Sequence, residues 1–399
     1  MTTPEAPSRC CQQICPQQRY AGHVEQAEVP GLVALVARGD DVHVTAVGHK
    51  AFGDSEPIGR DAIFRIASIT KPIVGAAAMR LVEDGAIALQ DPVGWLPELA
   101  EPRVLRRLDS ELDDTVPADR PITVEDVLSF RFGFGSIMDP GPYPIQRAES
   151  ELGLKTLSPP WPPADLTPDE WIAGLGSLPL LDQPGTRWRY NTGASVAGVL
   201  IERVVGRPLG DVLAERIFSP LGMTDTGFYV PADQRDRFTT FYVPGDRPGE
   251  LRVLDRPGGW YSSPPKWPDA AGWLVSTVDD LWAFASMLAS GGGRLLSAES
   301  VRQMTRDRMT SRDRAESRIF LGDHSGWGLM MLVPAADGST GVPGGFGWEG
   351  GSGTVWRTDP ATGLTGILLT QRMVTSPSRA ALRAPDYCPV TVGTGTFVG

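Results

Sequence analysis

Phe64-Arg65-Ile66-Ala67-Ser68-Ile69-Thr70-Lys71-Pro72 leads into a run whose alanines, Met79, Leu81 and Val82 suit a helix, with Gly85 to end it. Residues three apart on a helix share a face, so Ser68 Oγ and Lys71 Nζ can converge. A serine hydroxyl is a weak nucleophile until a base removes its proton, and a lysine whose surroundings lower its pKa can be that base. The N-terminus of a helix disfavours the ammonium form and offers free N–H groups to a developing oxyanion. Pro72 is tolerated only near a first turn, which places Ser68 at the start of the helix. The chain contains its own control. Ser263-Pro264-Pro265-Lys266 has the same spacing, but consecutive prolines hold it extended, so its Ser and Lys cannot share a face.

Two later segments bear on the same chemistry. Gly185-Thr186-Arg187-Trp188-Arg189-Tyr190-Asn191-Thr192-Gly193 reads as a loop before a helix, a place to present the Tyr190 phenol. Positive charge nearby lowers a phenol's pKa, so Tyr190 beside Lys71 can carry phenolate character and help deprotonate Ser68. The plainer reading is a half-buried tyrosine with a satisfied hydroxyl. The stretch Gly344-Gly345-Phe346-Gly347-Trp348-Glu349-Gly350-Gly351-Ser352-Gly353 precedes a β run. Its glycines permit close approach of backbone to a ligand, or form only a bulged turn. Ser195, in Gly193-Ala194-Ser195-Val196-Ala197, has no strand before it and no closing glycine, so it reads as a helix face of small residues. H-E-x-x-H, a Walker loop and a G-x-G-x-x-G after a strand are all missing.

Outward from these motifs, GLVALVAR (31–38) and DVHVTAVG (41–48) are β-rich runs joined at Gly39-Asp40-Asp41, a hairpin signal. TVEDVLSF (123–130) predicts a short helix capped by Thr123, with Asp126 three residues on. The Pro- and Gly-rich stretch 134–166 reads as a long irregular loop. SVAGVLIERVVG (195–206), PLGDVLAERIF (208–218) and TVDDLWAFASMLASGG (277–292) have helical spacing. HSGWGLMMLVP, GTVWRTD and LTGILLTQR then return to β-type patterning. Strands at both ends with helices between predict an α/β (α+β) chain: an antiparallel sheet from both termini, flanked by helices, plus a mainly helical lobe. The expected domain is 21–376, with a sheet lobe at about 21–66 and 320–376 and a helical lobe at about 67–319. Residues 1–20 read as a polar, cysteine-bearing tail and 377–399 as an irregular one.

Composition narrows the function. The 399 residues carry a formal charge of −11, so neither nucleic acid nor an anionic membrane is expected as a partner, since both need a clustered basic face; only four of the 37 basic residues are lysines. The N-terminus lacks the apolar core of a secretory signal, and no apolar run reaches the roughly 18 residues of a membrane span, so a cytoplasmic location is expected. Cys10, Cys11, Cys15 and Cys388 make no disulfide framework for a chain this long. The C-C-x-x-x-C spacing, with His23 alone nearby, is not a usual metal pattern. Neither metal nor cofactor is expected.

The ordered series FRIASITKP, PGTRWRYNTG, PLGMTDTGF, GWLVSTVDDLWAFASML and GWEGGSGTVWRTDP resembles the β-lactamase-related serine hydrolases, between about Pro30 and Arg372. That family joins class C β-lactamases, D-alanyl-D-alanine carboxypeptidases, family VIII carboxylesterases and related transesterases on a β-lactamase/transpeptidase-like fold. The resemblance implies Ser68 as acylated nucleophile and Lys71 with Tyr190 as general base. It implies an oxyanion hole from the Ser68 N–H and one on the C-terminal strand, at Gly351. Two departures concern substrate. Where the β-lactamases carry Tyr-x-Asn, Thr192 takes the Asn place and Asn191 lies one residue earlier; where they carry Lys-Thr-Gly, this chain has Trp348-Glu349-Gly350. A Trp-x-G triplet is similar to the esterase branch. Trp348 would wall the pocket, and Glu349 would repel an anionic acid. The expectation is hydrolysis of small neutral carboxylic esters. The alternatives are β-lactam or D-amino-acid amide hydrolysis, acyl transfer on the same site, or a non-catalytic binding protein on this scaffold.

Overall fold

The computed structural model describes residues 16–139, 141–154, 165–322, 325–336 and 345–374. Cys10, Cys11, Cys15, Cys388 and the expected tail at 377–399 lie outside them. Four helices frame the architecture: α1 (Pro16–Glu25), α2 (Thr70–Glu83), α3 (Thr192–Val205) and α4 (Val278–Ala289). The sheet strands are β1 (Gly31–Arg38), β2 (Asp41–Gly48), β3 (Ser325–Trp327), β4 (Leu332–Pro334), β5 (Phe346–Gly350), β6 (Thr354–Asp359) and β7 (Leu364–Thr370).

These strands form one antiparallel sheet in the order β2-β1-β7-β6-β5-β4-β3. The expected hairpin joins β1 to β2, turning at Gly39 with φ +58°. β1 then pairs with β7, from Leu32↔Thr370 to Arg38↔Leu364, so the two ends of the chain meet in mid-sheet. Period-2 alternation sends the side chains to two cores. Val33, Leu35, Trp356, Ile367 and Leu369 face the main core, where the Phe284 ring of α4 meets Trp356 edge-on at 5.6 Å. Leu32, Ala34, Val355 and Leu368 face the other way, against Tyr20 of α1.

That contact corrects the N-terminal boundary. The stretch read as a polar tail already contains the start of α1, and Tyr20 is 3% exposed. One aromatic with Val24 a turn later is enough to dock a short helix on a sheet face that must be covered. The stretch read as an irregular loop holds a helix at Pro144–Glu151, opened by proline in its first turn and anchored by buried Ile145. The glycine-rich segment read as leading into a β run is itself the strand β5.

In the helical part, α2 is buried from Thr70 through Met79, as befits a helix apolar nearly all round. It ends as expected at Gly85 (φ +70°). Ala86 N–H bonds the Leu81 carbonyl at 3.0 Å and Gly85 N–H bonds that of Val82 at 3.1 Å, satisfying two terminal acceptors. The Thr123 and Thr277 caps form as the sequence predicts. Among the described residues no helix is long and apolar enough to cross a membrane, and no group of three or more His, Cys, Asp or Glu could hold a metal ion.

Candidate active site

The two-residue strand Phe64–Arg65 pairs with Val275–Ser276 and delivers the chain into a 3-10 turn, Ala67–Ile69, ahead of α2. Ala67 sits at φ +42°, where a side chain costs on the order of 1 kcal/mol. Thr70 holds this turn: its hydroxyl donates to the Ala67 carbonyl at 2.6 Å and accepts from the Leu274 N–H at 3.2 Å. Ser68 is thereby left half-buried at the mouth of α2, with Lys71 wholly buried one turn along.

Lys71 Nζ lies 2.9 Å from Ser68 Oγ, donates to the Ala271 carbonyl, and stands 4.8 Å from the centre of the Tyr190 ring. Burial pulls its pKa down to about 7, against the opposing pull of the Asp269 charge. The Tyr190 hydroxyl donates to Ser68 Oγ at 3.0 Å. Burial pushes this phenol up to about 12, outweighing its hydrogen bonds with Ser68 and Trp348. Burial thus works against the phenolate character expected at Tyr190. Desolvation acts on both groups and leaves a poised amine beside a neutral phenol.

The loop presenting Tyr190 is strained. Asn191 has φ +81° and ψ −61°, and the Thr192 N–H bonds the Tyr190 carbonyl at 3.3 Å, the pattern of the rare γ-turn with positive φ. The same carbonyl accepts from Ser136 N–H at 3.0 Å and Ser136 Oγ at 3.1 Å, which fixes the turn. Asn191 and Thr192, expected as pocket residues, are both buried and build the backbone that aims the phenol.

The third motif closes the site. Trp348 Nε1 donates to the Tyr190 oxygen at 2.9 Å, and its ring meets Trp327 edge-on at 4.7 Å. Phe320 also joins this aromatic group, 4.6 Å from the Tyr190 ring. The turn after β5 is tied to the nucleophile strand: Ser352 Oγ donates to the Arg65 carbonyl and Thr354 Oγ1 to that of Ile66 at 3.1 Å. Gly350 is required there, since a Cβ would run into the Ile66 carbonyl oxygen, and Gly351 comes directly after it. Glu349 is not the bare charge the sequence suggested. Its carboxylate pairs with Arg357 Nη2 on β6 at 2.7 Å, so it is neutralised by a cross-strand neighbour.

Ser68, Lys71, Tyr190 and Trp348 thus meet although the first and last stand 280 positions apart in the sequence. The control pair does not: Ser263 is exposed, and Lys266 Nζ bonds the Asp165 carbonyl at 3.0 Å. Ser195 lies buried on α3, donating to Asp269 at 2.7 Å. Ala271, Asp269 and Phe320 had no signal in the sequence, because each reaches the site only through tertiary packing. An open cleft of about 430 Å³ lined by Val104, Arg106, Leu181 and Gln183 includes none of the site residues.

A family profile described as Beta-lactamase matches residues 17–386. Esterase EstB of Burkholderia gladioli is 30% identical over 387 residues, covering 91% of this chain and 92% of its own. An uncharacterized protein of Mycobacterium tuberculosis (strain CDC 1551 / Oshkosh) is 39% identical over 360 residues, covering 86% and 85%. Among solved structures, EstCE1, a hydrolase with promiscuous acyltransferase activity, has a similar fold, with a TM-score of 0.75 at 24% identity over 93% of this chain and 97% of that one. Because the profile runs from α1 to beyond the last strand, both the sheet and the helical part are accounted for, and the chain belongs to the β-lactamase family of serine hydrolases.

Proposed function

We propose that the chain hydrolyses small neutral carboxylic esters through an acyl-enzyme on Ser68. The observation that carries this reading is the convergence of Lys71 Nζ at 2.9 Å and Tyr190 Oη at 3.0 Å on Ser68 Oγ. Neutral Lys71 takes the Ser68 proton as Oγ bonds to the ester carbonyl carbon. The oxyanion is held by the N–H groups of Ser68 and Gly351. Tyr190 passes its proton to the departing alkoxide, which leaves as the alcohol, and the Lys71 ammonium returns a proton to the Tyr190 phenolate, leaving Lys71 neutral for the next step. Water then attacks the acyl-Ser68 carbonyl, gives its proton back through the same pair, and releases the carboxylic acid. No cofactor is needed.

Neutral substrates are favoured by the aromatic character of Trp348, packed on Trp327, and of Phe320, and by Trp348 standing where a carboxylate-binding lysine would otherwise be. The esterase name of the Burkholderia relative agrees with this. The test is Ser68→Ala assayed on short-chain p-nitrophenyl esters, with a chromogenic cephalosporin and a competing alcohol in parallel. Ester turnover should fall on the order of 10³-fold or more. Full ester activity in Ser68→Ala overturns the proposal, as does wild-type preference for the cephalosporin.

A further inference from the structure

Asp269 lies half-buried in the turn that faces Lys71, and acylation and deacylation of Ser68 as proposed give it no part. Its Oδ1 accepts two hydrogen bonds, from Ser195 Oγ at 2.7 Å and from the Ala271 N–H at 2.9 Å. The Ala271 carbonyl in turn accepts from Lys71 Nζ. Ser195 belongs to α3, the helix that begins directly after the Tyr190–Asn191 turn. One carboxylate therefore connects the element carrying Tyr190 with the peptide that receives Lys71.

We infer that Asp269 is a positioning residue for Lys71: it fixes the Ala271 peptide so that its carbonyl receives the amine, and it places a carboxylate on the far side of that peptide. The inference rests on Lys71 acting as the base for Ser68. Burial pushes the Asp269 carboxyl up, and the Ala271 N–H, the Ser195 hydroxyl and the Lys71 charge offset part of that rise by favouring its ionised form. The groups facing the amine are Ser68 Oγ, the Ala271 carbonyl and the Tyr190 ring, with Asp269 behind the Ala271 peptide. Glu349, the other carboxylate acting on this site, affects Tyr190 and is paired with Arg357. The two parts of the role separate by substitution, since an amide keeps the acceptor oxygen and loses the charge.

The experiment compares kcat and KM against pH for the wild type, Asp269→Asn and Asp269→Ala on a p-nitrophenyl ester, with thermal melts to check folding. Losing the charge removes a stabiliser of the ammonium. The acid limb of kcat/KM in Asp269→Asn should therefore move to lower pH by about one unit. Its plateau kcat should stay within about threefold of wild type. Asp269→Ala also frees the Ala271 peptide, and its plateau kcat should fall about tenfold further, with KM little changed. An unmoved acid limb in Asp269→Asn, or equal plateaus for Asn and Ala, overturns the inference. Phosphonate labelling of wild-type Ser68, run alongside, keeps the two failures apart: an unlabelled Ser68 contradicts the site on which the inference rests.

Discussion

The indole N–H of Trp348 donates to the phenolic oxygen of Tyr190 over 2.9 Å, and Tyr190 donates onward to Ser68 over 3.0 Å. The third motif therefore touches the nucleophile through the second. Trp348 biases the phenol, since donation to its oxygen offsets part of the upward shift caused by burial.

Trp348→Phe keeps a large apolar ring and loses that donor. The Tyr190 phenol should become a weaker acid, and kcat for a short-chain aryl ester should drop about tenfold, the equivalent of one hydrogen bond at about 1.4 kcal/mol. KM should change by less than about threefold, as read by steady-state kinetics.

Lys71 must be neutral to accept the Ser68 proton, and its folded pKa is lowered to about 7. Activity should therefore be low in acid, rise through pH about 7, and level off at higher pH. Tyr190, held at about 12, should add no alkaline limb below about pH 10. Lys71→Arg places a permanently protonated group there. Its kcat/KM should fall on the order of 10³-fold and lose the limb near 7. A pH–rate profile of both proteins checks this.

Asn191 holds φ +81° and ψ −61°, which glycine reaches without strain and alanine does not. Asn191→Gly keeps the turn and should be the more stable of the two variants in urea unfolding. Asn191→Ala should lose about 1–2 kcal/mol and also lose kcat, because the turn aiming Tyr190 shifts.

Glu349 spends its charge on Arg357 at 2.7 Å, and the Arg357 side chain is 9% exposed. Glu349→Gln should leave turnover of a neutral ester within about threefold. It should lower stability by about 1 kcal/mol, because it removes the charged partner of a buried guanidinium. A large gain toward anionic substrates in this variant would restore the repulsive role that the sequence suggests for Glu349.

Legibility followed the range of each signal. Ser68 and Lys71 can be paired from sequence because their relation is local, three residues apart across the 3-10 turn that leads into α2, and Ser263 with Lys266 can be set aside because two prolines are local too. The Thr123 and Thr277 caps and the Gly85 terminus are equally short-range. The proximity of Tyr190 to Lys71 can be read from motifs, whereas the burial of both, which works against a phenolate, cannot. β5 is hidden by its glycines, which serve the close approach of the Ile66 carbonyl to Gly350. Tyr20, Asp269 and Phe320 give no pattern at all, for each takes its role from a surface built elsewhere in the chain.

The central claim is that Ser68 is the nucleophile, and covalent labelling with a fluorophosphonate reads it directly. Peptide mapping by mass spectrometry should find one adduct per chain, on Ser68. The rate of labelling should rise through pH about 7, and Ser68→Ala should take up none. An adduct on Ser195 or elsewhere, or a wild-type protein that stays unlabelled, contradicts the account.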